Sequence, residues 1–143
     1  MKNKSKLKKI KEKKTTIAKF PSQWLFVAKE EVTARDVKNA LDDYVGIELE
    51  IWEAAGIVEV VLSDGRSIDF EQTAVDLHDA YSNEFLAKQQ AKALFYVTIH
   101  PDSADLVTPV MQHVLGKIAG VFCGDTDDFS PFVRGEKKEK ATG

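Results

Sequence analysis

Between Gly46 and Glu71 the chain reads GIELEIWEAAGIVEVVLSDGRSIDFE, and apolar and charged residues alternate through its first and last parts. A two-residue period is that of a β-strand with one buried and one exposed face. Ile47, Leu49 and Ile51 fall on one side of the first strand, and Glu48, Glu50 and Trp52 on the other. Three strands joined by two tight turns are predicted, with Asp64-Gly65 as the second turn. Aligning Ile47, Leu49 and Ile51 with Val58, Val60 and Leu62, and with Ile68 and Phe70, sets Trp52 opposite Ile57 and Glu50 opposite Glu59. The same reading puts Glu59 opposite Glu71. The predicted outcome is a row of Glu50, Glu59 and Glu71, with Glu48 and Asp69 nearby; a slip of one residue would turn all of them inward.

The flanking sequence carries further elements. Gln23 to Lys29, QWLFVAK, has the aromatic and β-branched enrichment of a strand. Thr33-Ala34-Arg35-Asp36 resembles a capping box with Asp in place of Glu, opening a helix to about Tyr44. From Ala74 to Lys92, Leu77, Tyr81 and Phe85 recur every four residues and favour a helix, which Ser82-Asn83 could divide. Leu94 to His100, LFYVTIH, is apolar enough for a central strand. Asp102 and Asp105 form a second capping pattern ahead of Leu106, Val107, Val110, Met111, Val114, Leu115 and Ile118, which keep helical period. Pro109 is expected in or near the first turn of that helix, Gly120 at its close, and Val121 to Gly124 as a last strand. Segments 23–53 and 94–124 both read strand, helix, strand. The fold class expected is α+β: one mixed or antiparallel sheet of about five to six strands with two to three helices packed on one face.

Charge divides the chain more sharply than its net value of −3 indicates. Residues 1–19 hold nine lysines against Glu12, a net +8, and residues 134–143 are +2; the intervening 20–133 are therefore −13. The expected organisation is a flexible lysine-rich tail (1–19), a single acidic domain (20–133) and a short C-terminal tail (134–143). Cys123 is the only cysteine, so no intrachain disulfide forms. No apolar core follows the N-terminal lysines as a signal peptide requires, and no run approaches the ~20 apolar residues of a membrane span. A cytoplasmic location is the expectation.

Candidate chemistry is sparse. His78, His100, His113, Cys123 and Asp125 are metal-ligand types, but none has the paired spacing of a zinc site, and no metal or cofactor is expected. Asp125, Asp127 and Asp128, with Glu136 at the twelfth position, look like a calcium loop until Phe129 takes the fifth position and Ser130 the sixth, where glycine is needed. Cys123 with His113, or Ser130 with His100, would pair a nucleophile with a base, yet no Gly-x-Ser-x-Gly elbow is present. Asp127-Asp128 and Glu48-Glu50 are carboxylate pairs, whose use in hydrolysis requires separated pKa values or a bound cation.

What remains is the like-charge row, whose opposed carboxylates cost a few tenths to about 1 kcal/mol per pair. Solvent and salt can offset that, with Trp52, Ile57 and Val61 lying under a helix or the chain's own ends. The alternative is a cationic partner. The function expected is a non-catalytic binding module, an inhibitor or immunity-type antagonist, that docks a basic protein surface through Glu48, Glu50, Trp52, Glu59, Asp69 and Glu71. In charge alone this character is similar to that of immunity proteins and nucleic-acid mimics. Two readings from other classes compete: a nucleic-acid-associated protein acting through its lysine-rich N-terminus, and a small hydrolase using Asp and His residues.

Overall fold

A computed structural model describes residues 20–135. These form one antiparallel sheet of seven strands: β1 (Gln23–Ala28), β2 (Glu48–Trp52), β3 (Ile57–Val61), β4 (Ser67–Thr73), β5 (Ala93–Thr98), β6 (Gly120–Gly124) and β7 (Phe132–Arg134). Their spatial order is β2-β3-β4-β5-β1-β6-β7. The apolar segment around Leu94 is thus the middle strand, as its composition predicts. Three helices complete the fold: α1 (Ala34–Leu41), α2 (Ala80–Lys88) and α3 (Ala104–Leu115). The two strand-helix-strand segments are β1-α1-β2 and β5-α3-β6. β5 and β6 both pair antiparallel with β1, so each runs parallel to the other with β1 inserted between them.

Alternation in β1 sorts the core into two layers. Trp24, Phe26 and Ala28 join a cluster with Val37 and Leu41 of α1 and Val107, Val110, Met111 and Val114 of α3. Phe26 stacks on Phe122 at 4.6 Å and meets Phe70 and Phe95 at 6.4 and 5.8 Å. Each such fully buried side chain contributes roughly 1.5–3 kcal/mol. Leu25 and Val27 point the other way, to Leu86 of α2 and to Leu94, Val121, Cys123 and Phe129. Two helices therefore share one face, hereafter the inner face, while α2 lies on the outer face, a division the helical spacing alone does not reveal.

Several boundaries move for identifiable reasons. The Thr33–Asp36 capping box is present: Thr33 N–H donates to Asp36 Oδ2 (2.9 Å) and Asp36 N–H to Thr33 Oγ1 (3.3 Å). Ser82-Asn83 does not divide α2; Asp79 caps it, accepting from Ser82 N–H at 2.7 Å. Asp102 does not cap α3. A short 3-10 turn, Pro101–Ser103, precedes that helix, and the buried Ser103 hydroxyl donates instead to Asp64 at 2.6 Å, tying the β3-β4 turn to the start of α3. The helix runs Ala104–Leu115, so Pro109 lies in its interior rather than in its first turn. Gly116 closes α3, and Gly120 begins β6, where a Cβ would collide with the Val27 carbonyl. The sheet also takes in β7, too short at three residues to leave a periodic signal, and with it Arg134, which the sequence assigns to the C-terminal tail.

Candidate functional site

The β2-β3-β4 meander forms with its predicted faces. Leu49 and Ile51 pack toward the inner core with Val58, Val60, Ile68 and Phe70. Trp52 pairs with Ile57 and Glu50 with Glu59. Glu59, however, pairs with Asp69 and not with Glu71, which lies opposite Ile57. The turn explains the shift of two residues. Leu62 N–H donates to the Arg66 carbonyl (2.8 Å) and Gly65 N–H to the Leu62 carbonyl (2.9 Å), leaving a three-residue loop, Ser63-Asp64-Gly65. Gly65 has φ +87°, the left-handed residue that such loops require. An even shift keeps every side chain on its face and changes only its neighbours.

The carboxylates consequently fall in two rows. Glu50, Glu59 and Asp69 face one another across β2, β3 and β4, with Thr98 of β5 next in line. The adjacent row is Trp52, Ile57, Glu71 and then Tyr96 of β5. Glu48 pairs with Val61 at the start of β2. All six predicted residues thus share the outer face. Glu48, Glu50, Asp69 and Glu71 are exposed, Glu59 is half-buried, and Trp52 retains 48% of its surface. Between the rows an open depression of about 460 Å³ is lined by Trp52, Ala55 and Ile57, with Glu59 and Asp69 beside them.

Six of the seven Lys and Arg residues in 20–133 are engaged elsewhere. Arg35 makes a two-point contact with Glu53 (2.8 and 3.2 Å), which lowers the Glu53 pKa through that hydrogen bond and its charge. Lys38 pairs with Asp42, Arg66 with Asp64 and Asp102, and Lys88 with Glu84. Lys117 and His113 both reach Asp43, each at 2.7 Å, and their hydrogen bonds lower its pKa to about 2. Lys29 donates to the Gln89 carbonyl. Among the described residues, no Lys or Arg pairs with Glu48, Glu50, Glu59, Asp69 or Glu71.

The candidate nucleophile pairs do not assemble. Cys123 faces the outer cluster, where burial pushes its thiol up to about 12, whereas His113 stands on α3 across the sheet and is held by Asp43. Ser130 Oγ donates to Asp128 at 2.7 Å, and His100 Nδ1 accepts from the Asp102 N–H at 3.1 Å. No group of three metal-ligating side chains occurs among the described residues.

A second concavity, of about 540 Å³, lies where the Asp125 loop approaches the start of α2. Asp79, Asp125 and Asp127 line it together with Tyr81, Tyr96 and Phe129. Periodicity gave no hint of it. Phe129, at φ +61°, stacks on Phe85 at 3.9 Å, and Asp128 accepts from Ser130 N–H and from the hydroxyls of Thr126 and Ser130, fixing the loop and lowering the Asp128 pKa. Its carboxylates come without a histidine, and Tyr96 joins it to the Glu71 row.

The segment on which nucleic-acid binding would depend, residues 1–19, lies outside the described residues, as does Glu136. Among those described, no helix is long and apolar enough to cross a membrane. No protein-family model, curated protein or solved structure matches the chain.

Proposed function

We propose that the protein is a non-catalytic binding module whose outer sheet face, over β2, β3 and β4, docks a basic protein surface in the manner of an inhibitor or antagonist. The observation that carries this reading is the Glu50–Glu59–Asp69 row beside an exposed Trp52 and a half-buried Ile57. Water serves carboxylates well, but an exposed tryptophan beside a row of opposed charges costs free energy twice, in apolar exposure and in repulsion. A lysine or arginine side chain offsets both. Its aliphatic stem lies along Trp52, Ala55 and Ile57 while its charged head meets Glu59 and Asp69. Tryptophan anchors at interface centres are the residues whose truncation costs most, and the surrounding carboxylates steer a basic partner toward them and set its orientation.

The test uses a polyarginine peptide and the emission of Trp52. Trp24, the other tryptophan, is buried with its Nε1–H donated to the Pro21 carbonyl at 2.7 Å, so it stays silent. At low salt the peptide produces a saturable change in Trp52 emission. The double substitution Glu50→Gln/Glu59→Gln weakens binding about tenfold or more, roughly 1.4 kcal/mol. Removing as much charge elsewhere, with Asp42→Asn/Asp105→Asn, leaves it unchanged. Equal loss in both variants would mean that only net charge is sensed and would overturn the assignment of the face.

A further inference from the structure

We infer that the chain's own lysine-rich segment, residues 1–19, is a tethered occupant of this open half of the sheet, which a basic partner must displace. The inference rests on the docking reading above and adds its regulation.

Charge complementarity is the first support. The segment is net +8, and the half-sheet presents Glu48, Glu50, Glu59, Asp69 and Glu71 without a described cation to balance them. The other supports are length and point of attachment. Ser22 and Gln23 enter the sheet beside Ile99 and Thr98, and Thr98 lies next to Asp69. At ~4.8 Å per strand, Gln23 is about 10 Å from Asp69 and about 19 Å from Glu50 along a single cross-strand row. Nineteen residues extend to roughly 60 Å, so their lysines reach every carboxylate in both rows. A short tether gives an effective concentration on the order of millimolar. That is enough for a weak polycationic contact to be substantially occupied at low salt and to be released as salt screens it.

The segment carries no aromatic residue and no arginine, so it offers the half-sheet charge without the planar groups that fill a tryptophan-lined depression. An external partner presenting arginine therefore competes with an advantage in contact quality, and the tail with one in concentration. Access to the face is then a function of ionic strength and of the tail's charge.

The experiment uses the full chain. With Ser5→Cys a nitroxide attaches at position 5 alone, because Cys123 is fully buried. At low salt the amide signals of Glu50, Glu59 and Asp69 broaden, those of α3 do not, and the broadening fades near 1 M salt, where the screening length is ~3 Å. In a second full-length variant the eight lysines between positions 2 and 14 are changed to Gln. That variant binds the polyarginine peptide at Trp52 several-fold more tightly than the parent at low salt and equally at high salt. Broadening on the α1-α3 side or nowhere, or no gain on neutralising the tail, overturns the inference. Failure of the docking reading is distinct: there the neutralised variant shows no Trp52 response to the peptide at all.

Discussion

One cross-strand row, Trp52–Ile57–Glu71–Tyr96–Leu25–Cys123–Phe132, crosses the whole outer face and divides it into two unlike halves. Over β5, β1 and β6 the outward side chains are Leu94, Leu25, Val27, Val121 and Cys123, and they lie under Leu86, Phe85 and Phe129 from α2 and the Asp125 loop. Over β2, β3 and β4 they are mainly carboxylates, and no described element covers them. The sheet therefore recruits a cover where its side chains are apolar and omits it where they are charged, as the cost of burying unpaired carboxylates requires. Trp52 and Ile57 break that rule. They are apolar residues in the half left open, and the functional reading rests on the exception.

Substitutions that separate the halves should rank by size. Phe129→Ala removes the ring that stacks on Phe85 in the covered half and lowers stability by about 3 kcal/mol or more, read by urea denaturation. The triple change Glu50→Gln/Glu59→Gln/Asp69→Asn acts in the opposite direction. Made in the variant whose eight tail lysines are Gln, so that the tail does not balance the row, it relieves two facing pairs and raises stability by up to about 1 kcal/mol at low salt, a gain that shrinks as salt is added. Destabilisation by that triple change would mean the open half is held by contacts not described above. Cys123, its thiol pushed up to about 12 by burial, stays unreactive toward a thiol reagent in the folded protein and reacts once urea unfolds it. The smallest effect lies on the inner side. Asp43 titrates at about pH 2 by carbon NMR, because Lys117 and His113 hydrogen-bond its charged form. Since its pKa is depressed on folding, its stabilising contribution is complete above the ordinary carboxylate value of ~3.9 and is lost as pH falls through about 2.

The legible parts of the fold were those where a local pattern and the tertiary requirement coincide. Alternation at Ile47–Trp52 and Ser67–Glu71 gave the faces, and Thr33–Asp36 gave the start of α1, because each signal is complete within a few residues. The pairing of Glu59 with Asp69 was not legible: the Asp64-Gly65 dipeptide suits loops of different length, and only the hydrogen bonds of Leu62 decide between them. Nor was the placement of α2 legible, since a four-residue spacing says that a helix has an apolar stripe and not which side of a sheet it meets. Asp102 misled because it falls inside the 3-10 turn Pro101–Ser103, and Ser103, which precedes the helix, gives its hydroxyl to Asp64, 39 residues distant in sequence though adjacent in space. Of the candidate site, all six residues share one face, yet Glu71 belongs to the row with Trp52 and Asp69 takes its place beside Glu59.

The most direct test of the docking account is an amide chemical-shift map of the full chain titrated with the polyarginine peptide. The account predicts that the largest shifts cluster at Glu50, Trp52, Ile57, Glu59, Asp69 and Glu71, with α1 and α3 unmoved. Shifts centred on the Asp125 loop, or spread over both faces in proportion to exposed charge, would contradict it.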